Sequence, residues 1–198
     1  LFDRIVGFIE REIHHKKHGR SAHIFAKMNG LVEHKMIDAL YRASQAGVKI
    51  DLMIRGVCCL RPGVKGLSEN IRVHSIVDKY LEHSRLFIFE NSGNEEVYIS
   101  SADWMPRNFF RRVEVAVPIK NPEMRKYLRE TFWSTCFEDD VKTRVCNSKG
   151  IYERVAHFES NSKRAQLAFE KMEIPDFSAK PVSEDKNSLE HKKHQKAD

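Results

Sequence analysis

Apolar side chains open the chain at helical spacing: Phe2, Ile5, Val6, Ile9 and Ile13 share one face, and His14, Lys16, Lys17 and His18 precede Gly19. Cations favour the last turn of a helix and glycine stops it, so the stretch predicts a helix packed by one side. Ala22 to Met28 predicts a strand. Glu33 to Ala46 predicts a helix with Met36, Ile37, Leu40 and Ala43 inward and Gly47 as its stop, and Val48 to Ile54 predicts a second strand. Strand, helix and strand at this spacing make a right-handed crossover between parallel strands, whose ligands gather at the carboxyl ends. Arg55 stands at that end.

Loop residues fill CCLRPGVKG, and short strands are then expected at Ile71 to Ile76, Arg85 to Glu90, Glu96 to Ser100 and Val113 to Ile119. Asn91-Ser92-Gly93-Asn94 should turn the middle pair into a hairpin. Asn121 as N-cap and Pro122 as first helical residue start a helix with Met124, Leu128, Phe132 and Cys136 inward. Lys163 to Met172 reads as a further helix, whereas Ser178 to Asp198 has almost no core-forming residues and is expected to be disordered. The fold class is α/β with a mixed sheet: one domain over residues 1–158, then a helical or disordered tail over 159–198.

With 198 residues, 41% of them hydrophobic, the chain can build one sizeable core. Its longest apolar runs, such as Leu86 to Phe89, are strand-sized and far below the roughly 20 residues of a membrane span. The first residues carry Asp3, Glu10 and Glu12 and do not read as a signal peptide, and the opening on Leu1 in mid-pattern suggests a fragment. Cys58, Cys59, Cys136 and Cys146 form neither a metal pattern nor a disulfide framework. A reducing cytosol, with at most peripheral membrane association, is the location that fits.

The tail holds eight Lys or Arg and eight Asp or Glu, so the net charge of +6 lies entirely in residues 1–158. Between Arg55 and Arg112 stand seven arginines and only two lysines. Arginine's rigid fork fits phosphate, which lysine meets only as a point charge, and the preference points to an anionic ligand.

The densest chemistry lies in VDKYLEHSRLFIFENSGNEEVYISSADWMPRN. A phospholipase D-like half-site needs a His, a cation two residues on, an acid five further, and small polar residues on the neighbouring strand. His83, Arg85, Glu90 and Ser100-Ser101-Ala102-Asp103 repeat that pattern with Arg for Lys and Glu for Asp.

The motifs Arg55-Gly-x-Cys-x-Leu-x-Pro62, Tyr80-Leu-Glu-His83 and Ser100-Ser-Ala-Asp-Trp-Met105, in that order, resemble the C-terminal catalytic domain of the family-1 polyphosphate kinases over residues 1–158. The resemblance implies a phospholipase D-like α/β domain, with a mixed, mostly parallel sheet flanked by helices. It also implies magnesium-dependent, reversible transfer of the terminal phosphate of ATP to polyphosphate through a phosphohistidine. Arg55 matches an arginine that contacts ATP phosphates, and His83 a nucleotide-contacting, supporting catalytic histidine. Arg85, Asp103, Arg107, Asn108, Arg112 and Glu114 resemble the polar wall nearby, with Trp104 as packing.

Within this chain no His-x-Lys nucleophile sits on a strand, since His34 lies in a predicted helix and His191 in the tail. The phosphohistidine half, the N-terminal and first catalytic domains, and any metal ligands are therefore expected elsewhere in a longer homo-oligomeric protein. ATP, ADP and polyphosphate are the expected partners, magnesium accompanies the nucleotide, and nucleic acid is not expected. The fragment alone should bind phosphates without catalysis. The rival readings are a phosphodiesterase or nuclease half-site and a non-catalytic polyanion-binding module.

Overall fold

A computed structural model of the chain describes residues 1–155 and 162–178. The N-terminal helix α1 spans Phe2–Lys17, and the expected crossover follows as β1 (His23–Met28), α2 (His34–Gln45) and β2 (Lys49–Ile54), with β1 and β2 parallel from His23↔Lys49 to Met28↔Ile54. The chain continues through β3 (Ile71–Ile76), β4 (Leu86–Phe89), β5 (Glu96–Ser100), α3 (Pro106–Phe110) and β6 (Ala116–Pro118). Beyond lie α4 (Pro122–Lys126), a π-helical segment (Tyr127–Trp133), α5 (Ser134–Phe137), β7 (Thr143–Cys146), β8 (Tyr152–Arg154) and α6 (Ala165–Lys171).

Among the described residues eight strands form one mixed sheet in the order β6-β5-β4-β1-β2-β3-β7-β8. Only its centre is parallel: β1 pairs with β2 and β2 with β3 in that sense, and the other five pairings are antiparallel. The expected majority of parallel pairings does not form: β4–β5 and β7–β8 are joined by tight turns, which only antiparallel neighbours allow, and β4 and β7 each enter the sheet running opposite to its parallel centre. The β4–β5 hairpin turns through Asn91, Ser92 and Gly93 at φ 48°, 54° and 95°, a left-handed run that Asn and Gly tolerate. The strand expected from Val113 shrinks to the three residues of β6, an edge position where Pro118 has no amide hydrogen to lose.

Alternation of side chains divides the core into two layers. Ile24, Ala26 and Met28 face α1 and α2, burying Ile5, Ile9, Met36 and Leu40, while Phe25, Met53, Leu86 and Ile88 face Trp133 and Cys136 from the helix on the other side. The sequence places Phe132 inward, yet Trp133 is the fully buried position and Phe132 is half-buried. A wider π turn rotates the later residues of the helix. Trp104 is fully buried, in line with the packing role expected for it. The expected disorder of 178–198 falls almost wholly outside the described residues. Among the described residues no helix is long and apolar enough to cross a membrane.

Candidate functional site at the carboxyl ends of the parallel strands

β1 and β2 end side by side, and their continuations are knitted together: Leu31 N–H donates to the Val57 carbonyl at 2.9 Å, and Gly56 N–H to the Asn29 carbonyl at 2.9 Å. A Cβ at position 56 would lie 2.7 Å from that carbonyl oxygen, so the residue after Arg55 has to be glycine for the two strand ends to meet. β4 runs antiparallel to β1 and β5 antiparallel to β4. The start of β4 and the end of β5 therefore arrive at the same rim, joined where Ser100 N–H donates to the Arg85 carbonyl at 3.0 Å.

Arg55 is half-buried, and its Nε donates to the main-chain carbonyl of Glu82 at 2.6 Å. Among the described residues no protein acceptor is within hydrogen-bond reach of its terminal nitrogens. The same loop residue receives a second cation, because the Glu82 carboxylate pairs with Lys27, which projects from β1 and is 6% exposed. Burial pushes the Lys27 ammonium down to about 8, and Arg55 and Arg85 nearby push in the same direction. A cavity of about 70 Å³ lies between these groups, Phe132 and Phe169, room for water but not for a triphosphate. His83 follows Glu82 directly and is exposed. A more open groove of about 780 Å³ runs between Glu130, Glu138, Lys163 and Lys171, outside this rim.

Arg85 forks onto Asp103, Nε at 3.1 Å and Nη2 at 3.2 Å, and its Nη1 donates to the His83 carbonyl at 3.0 Å. Asp103 also accepts from Asn29 N–H at 2.7 Å. Burial alone would raise the Asp103 pKa, but these donors outweigh it and hold the carboxyl below its ordinary range.

Residues 1–166 match the family model described as polyphosphate kinase C-terminal domain 2. The chain belongs to this family. It is 51% identical to the polyphosphate kinase of Neisseria gonorrhoeae over 163 residues, which is 82% of this chain and 24% of that protein. To the polyphosphate kinase of Burkholderia vietnamiensis it is 52% identical over 154 residues, 78% of this chain and 22% of that protein. The crystal structure of polyphosphate kinase from Porphyromonas gingivalis superposes with a TM-score of 0.81 at 43% identity, over 85% of this chain and 26% of that one. The chain thus spans about a quarter of the length of the curated relatives it matches.

In this polyphosphate kinase C-terminal domain, Arg55, His83, Arg85 and Asp103 converge on one rim, and the roles of the last two differ from the sequence reading. Arg85, expected as a cation facing the ligand, is engaged by Asp103 and props the strand ends. Glu90, expected as the acid of the pattern, lies at the opposite end of the sheet, roughly 16 Å along β4 from Arg85; it meets Ser21, and its N–H donates to the His23 carbonyl at 3.0 Å. A strand that begins at the rim carries its fifth residue away from it.

Asn108, 3% exposed, donates to Glu114 at 2.6 Å, and Ser101 donates to the same carboxylate, so Asn108 and Glu114 brace the turn after β5. Arg107 and Arg112 are exposed on that turn. The sequence reading missed Lys27 and Glu82. A lysine inside the apolar run IFAKM was the available signal, since an unpaired lysine is almost never buried.

Proposed function

We propose that this chain forms a phosphate-binding face of an ATP:polyphosphate phosphotransferase, acting in a longer protein whose other domains supply the phosphohistidine. Arg55 carries the reading. Its Nε is spent on the carbonyl of Glu82, the residue before His83, which supports a reading in which the cation and the imidazole serve one rim while the terminal nitrogens stay available. A guanidinium held this way donates to two phosphate oxygens and neutralises charge as the phosphoryl group transfers. His83, exposed beside it, donates a hydrogen bond or a proton to the same group.

Arg107 and Arg112 add positive charge on the adjoining turn, which suits a polyanion such as polyphosphate. Homo-oligomeric assembly and a cytosolic location belong to this reading as well. Magnesium is implied by the family, but the acids of this rim do not fit as its ligands: Glu82 is paired with Lys27, Asp103 with Arg85, and among the described residues no group of three His, Cys, Asp or Glu could hold a metal ion. Covalent transfer needs an in-line nucleophile that Arg55 and His83 as placed do not replace.

Calorimetric titration of the chain with ATP and with tripolyphosphate, beside incubation with γ-labelled ATP and magnesium, tests the proposal. Saturable binding lost in Arg55→Ala, without acid-labile label on the protein, is expected. Equal affinity in Arg55→Ala would sink the reading. Stoichiometric label that disappears in His83→Ala would instead make His83 the nucleophile.

A further inference from the structure

The loop from Val77 to Ser84 carries His83 but has no regular secondary structure of its own. Arg55 and Lys27 hold only its last part, at Glu82. Its first part is held by residues that follow it by more than 80 positions. Arg164 forks onto the buried Asp78 carboxylate at 2.9 and 2.6 Å. The Gln166 amide takes both backbone groups of Tyr80, accepting its N–H at 2.7 Å and donating to its carbonyl at 2.8 Å. Glu170 accepts from Lys79 Nζ at 3.1 Å and from the Tyr80 hydroxyl.

α6 is anchored on its other side. The Ala165 N–H donates to Asp139 at 2.7 Å, and Phe169 stacks on Phe132 with ring centroids 5.3 Å apart. Asp139 is itself 2% exposed and also accepts three backbone N–H groups, from Val141, Lys142 and Thr143. The segment thus links the buried Asp139 and the Phe132 face to a loop without regular secondary structure. The family match ends at residue 166, so most of α6 lies beyond it.

We propose that Arg164 and Gln166 are positioning residues for His83, with α6 acting as a strut that sets the conformation of the Val77–Ser84 loop. Two backbone hydrogen bonds from one amide side chain fix Tyr80 as a neighbouring strand would, and Leu81 and Glu82 then leave His83 little freedom. The inference rests on the phosphate-binding reading above and adds to it the element that pre-organises the imidazole.

Amide exchange and tripolyphosphate titration on the 198-residue chain test it. In Gln166→Ala, exchange at Val77 to Ser84 should quicken at least about tenfold while β1 and β2 stay protected, and tripolyphosphate should bind about three- to tenfold more weakly. In a His83→Ala background the same substitution should change affinity less than about twofold, which a general loss of stability would not reproduce. Arg164→Gln provides an independent second variant with the same expected pattern. Unchanged loop exchange in both variants, or an equal affinity loss with and without His83, overturns the proposal. If the wild-type chain bound no tripolyphosphate, the functional reading would fail, while the exchange comparison would still decide whether α6 orders the loop.

Discussion

Arg55 donates from Nε to the carbonyl oxygen of Glu82 at 2.6 Å, tying the end of β2 to the residue before His83. One guanidinium thus both shapes the loop and faces the rim. Lysine has no second nitrogen with which to do both, so Arg55→Lys is expected to weaken tripolyphosphate binding about tenfold although the charge is kept. Its melting temperature should stay within about 3 °C of wild type. Binding within twofold of wild type would show that charge alone is used.

Arg85 should behave in the opposite way. Removing it leaves the Asp103 carboxylate, whose side chain is 4% exposed, without its counter-charge. Breaking a buried pair by deleting one partner costs several kcal/mol, so Arg85→Ala should destabilise the chain by about 2–4 kcal/mol at pH 7. The Asp103 pKa is depressed in the folded state, so the stability it contributes is present above its unfolded value and fades as pH falls. The cost of Arg85→Ala should accordingly shrink toward pH 3. Urea titrations at both pH values measure it, and a pH-independent cost would contradict the pairing.

Gly56→Ala tests the close approach of the two strand ends. The added Cβ would sit 2.7 Å from the Asn29 carbonyl oxygen, a backbone atom that cannot swing aside. A loss of about 1–3 kcal/mol is expected, with weaker tripolyphosphate binding because Arg55 must move with the strand end. A neutral substitution would mean that the rim is soft.

His74 gives the chain an acid limit. Its ring stacks on Phe137 at 4.0 Å and 5°, and burial first, then Arg72, push its pKa down to about 4. A base with a lowered folded pKa lets the unfolded chain bind the extra proton between about 6.5 and about 4, so stability is full above that window and falls through it. His74→Phe keeps the stack and removes the titration. Its stability profile should be flatter over the window by about 1–3 kcal/mol, checked by urea unfolding at pH 7 and pH 4.5. Parallel profiles would remove His74 as the cause.

Local periodicity carried much of the architecture. The apolar spacing of α1 and α2, the runs of β1 and β2 and the Asn-Ser-Gly-Asn turn are near-neighbour signals, and each element forms where its pattern lies. Arg55 was legible as a rim residue for the same reason, since a strand–helix–strand unit has a known functional end. β7 and β8 gave no such signal: three- and four-residue strands are too short to show a period and exist because β3 offers an unpaired edge.

The sequence by itself determined the central crossover, the basic body and the motifs that place Arg55 and His83 in a phosphate-handling family. Only the tertiary structure decided which charges are available. Arg85 and Asp103 are 18 positions apart and cancel each other, Lys27 reaches Glu82 across 55 positions, and Arg164 reaches Asp78 across 86. A charge is indistinguishable along the chain whether it is spent or open, because its partner is chosen by strand order and sheet face, and those are set only when the whole core closes.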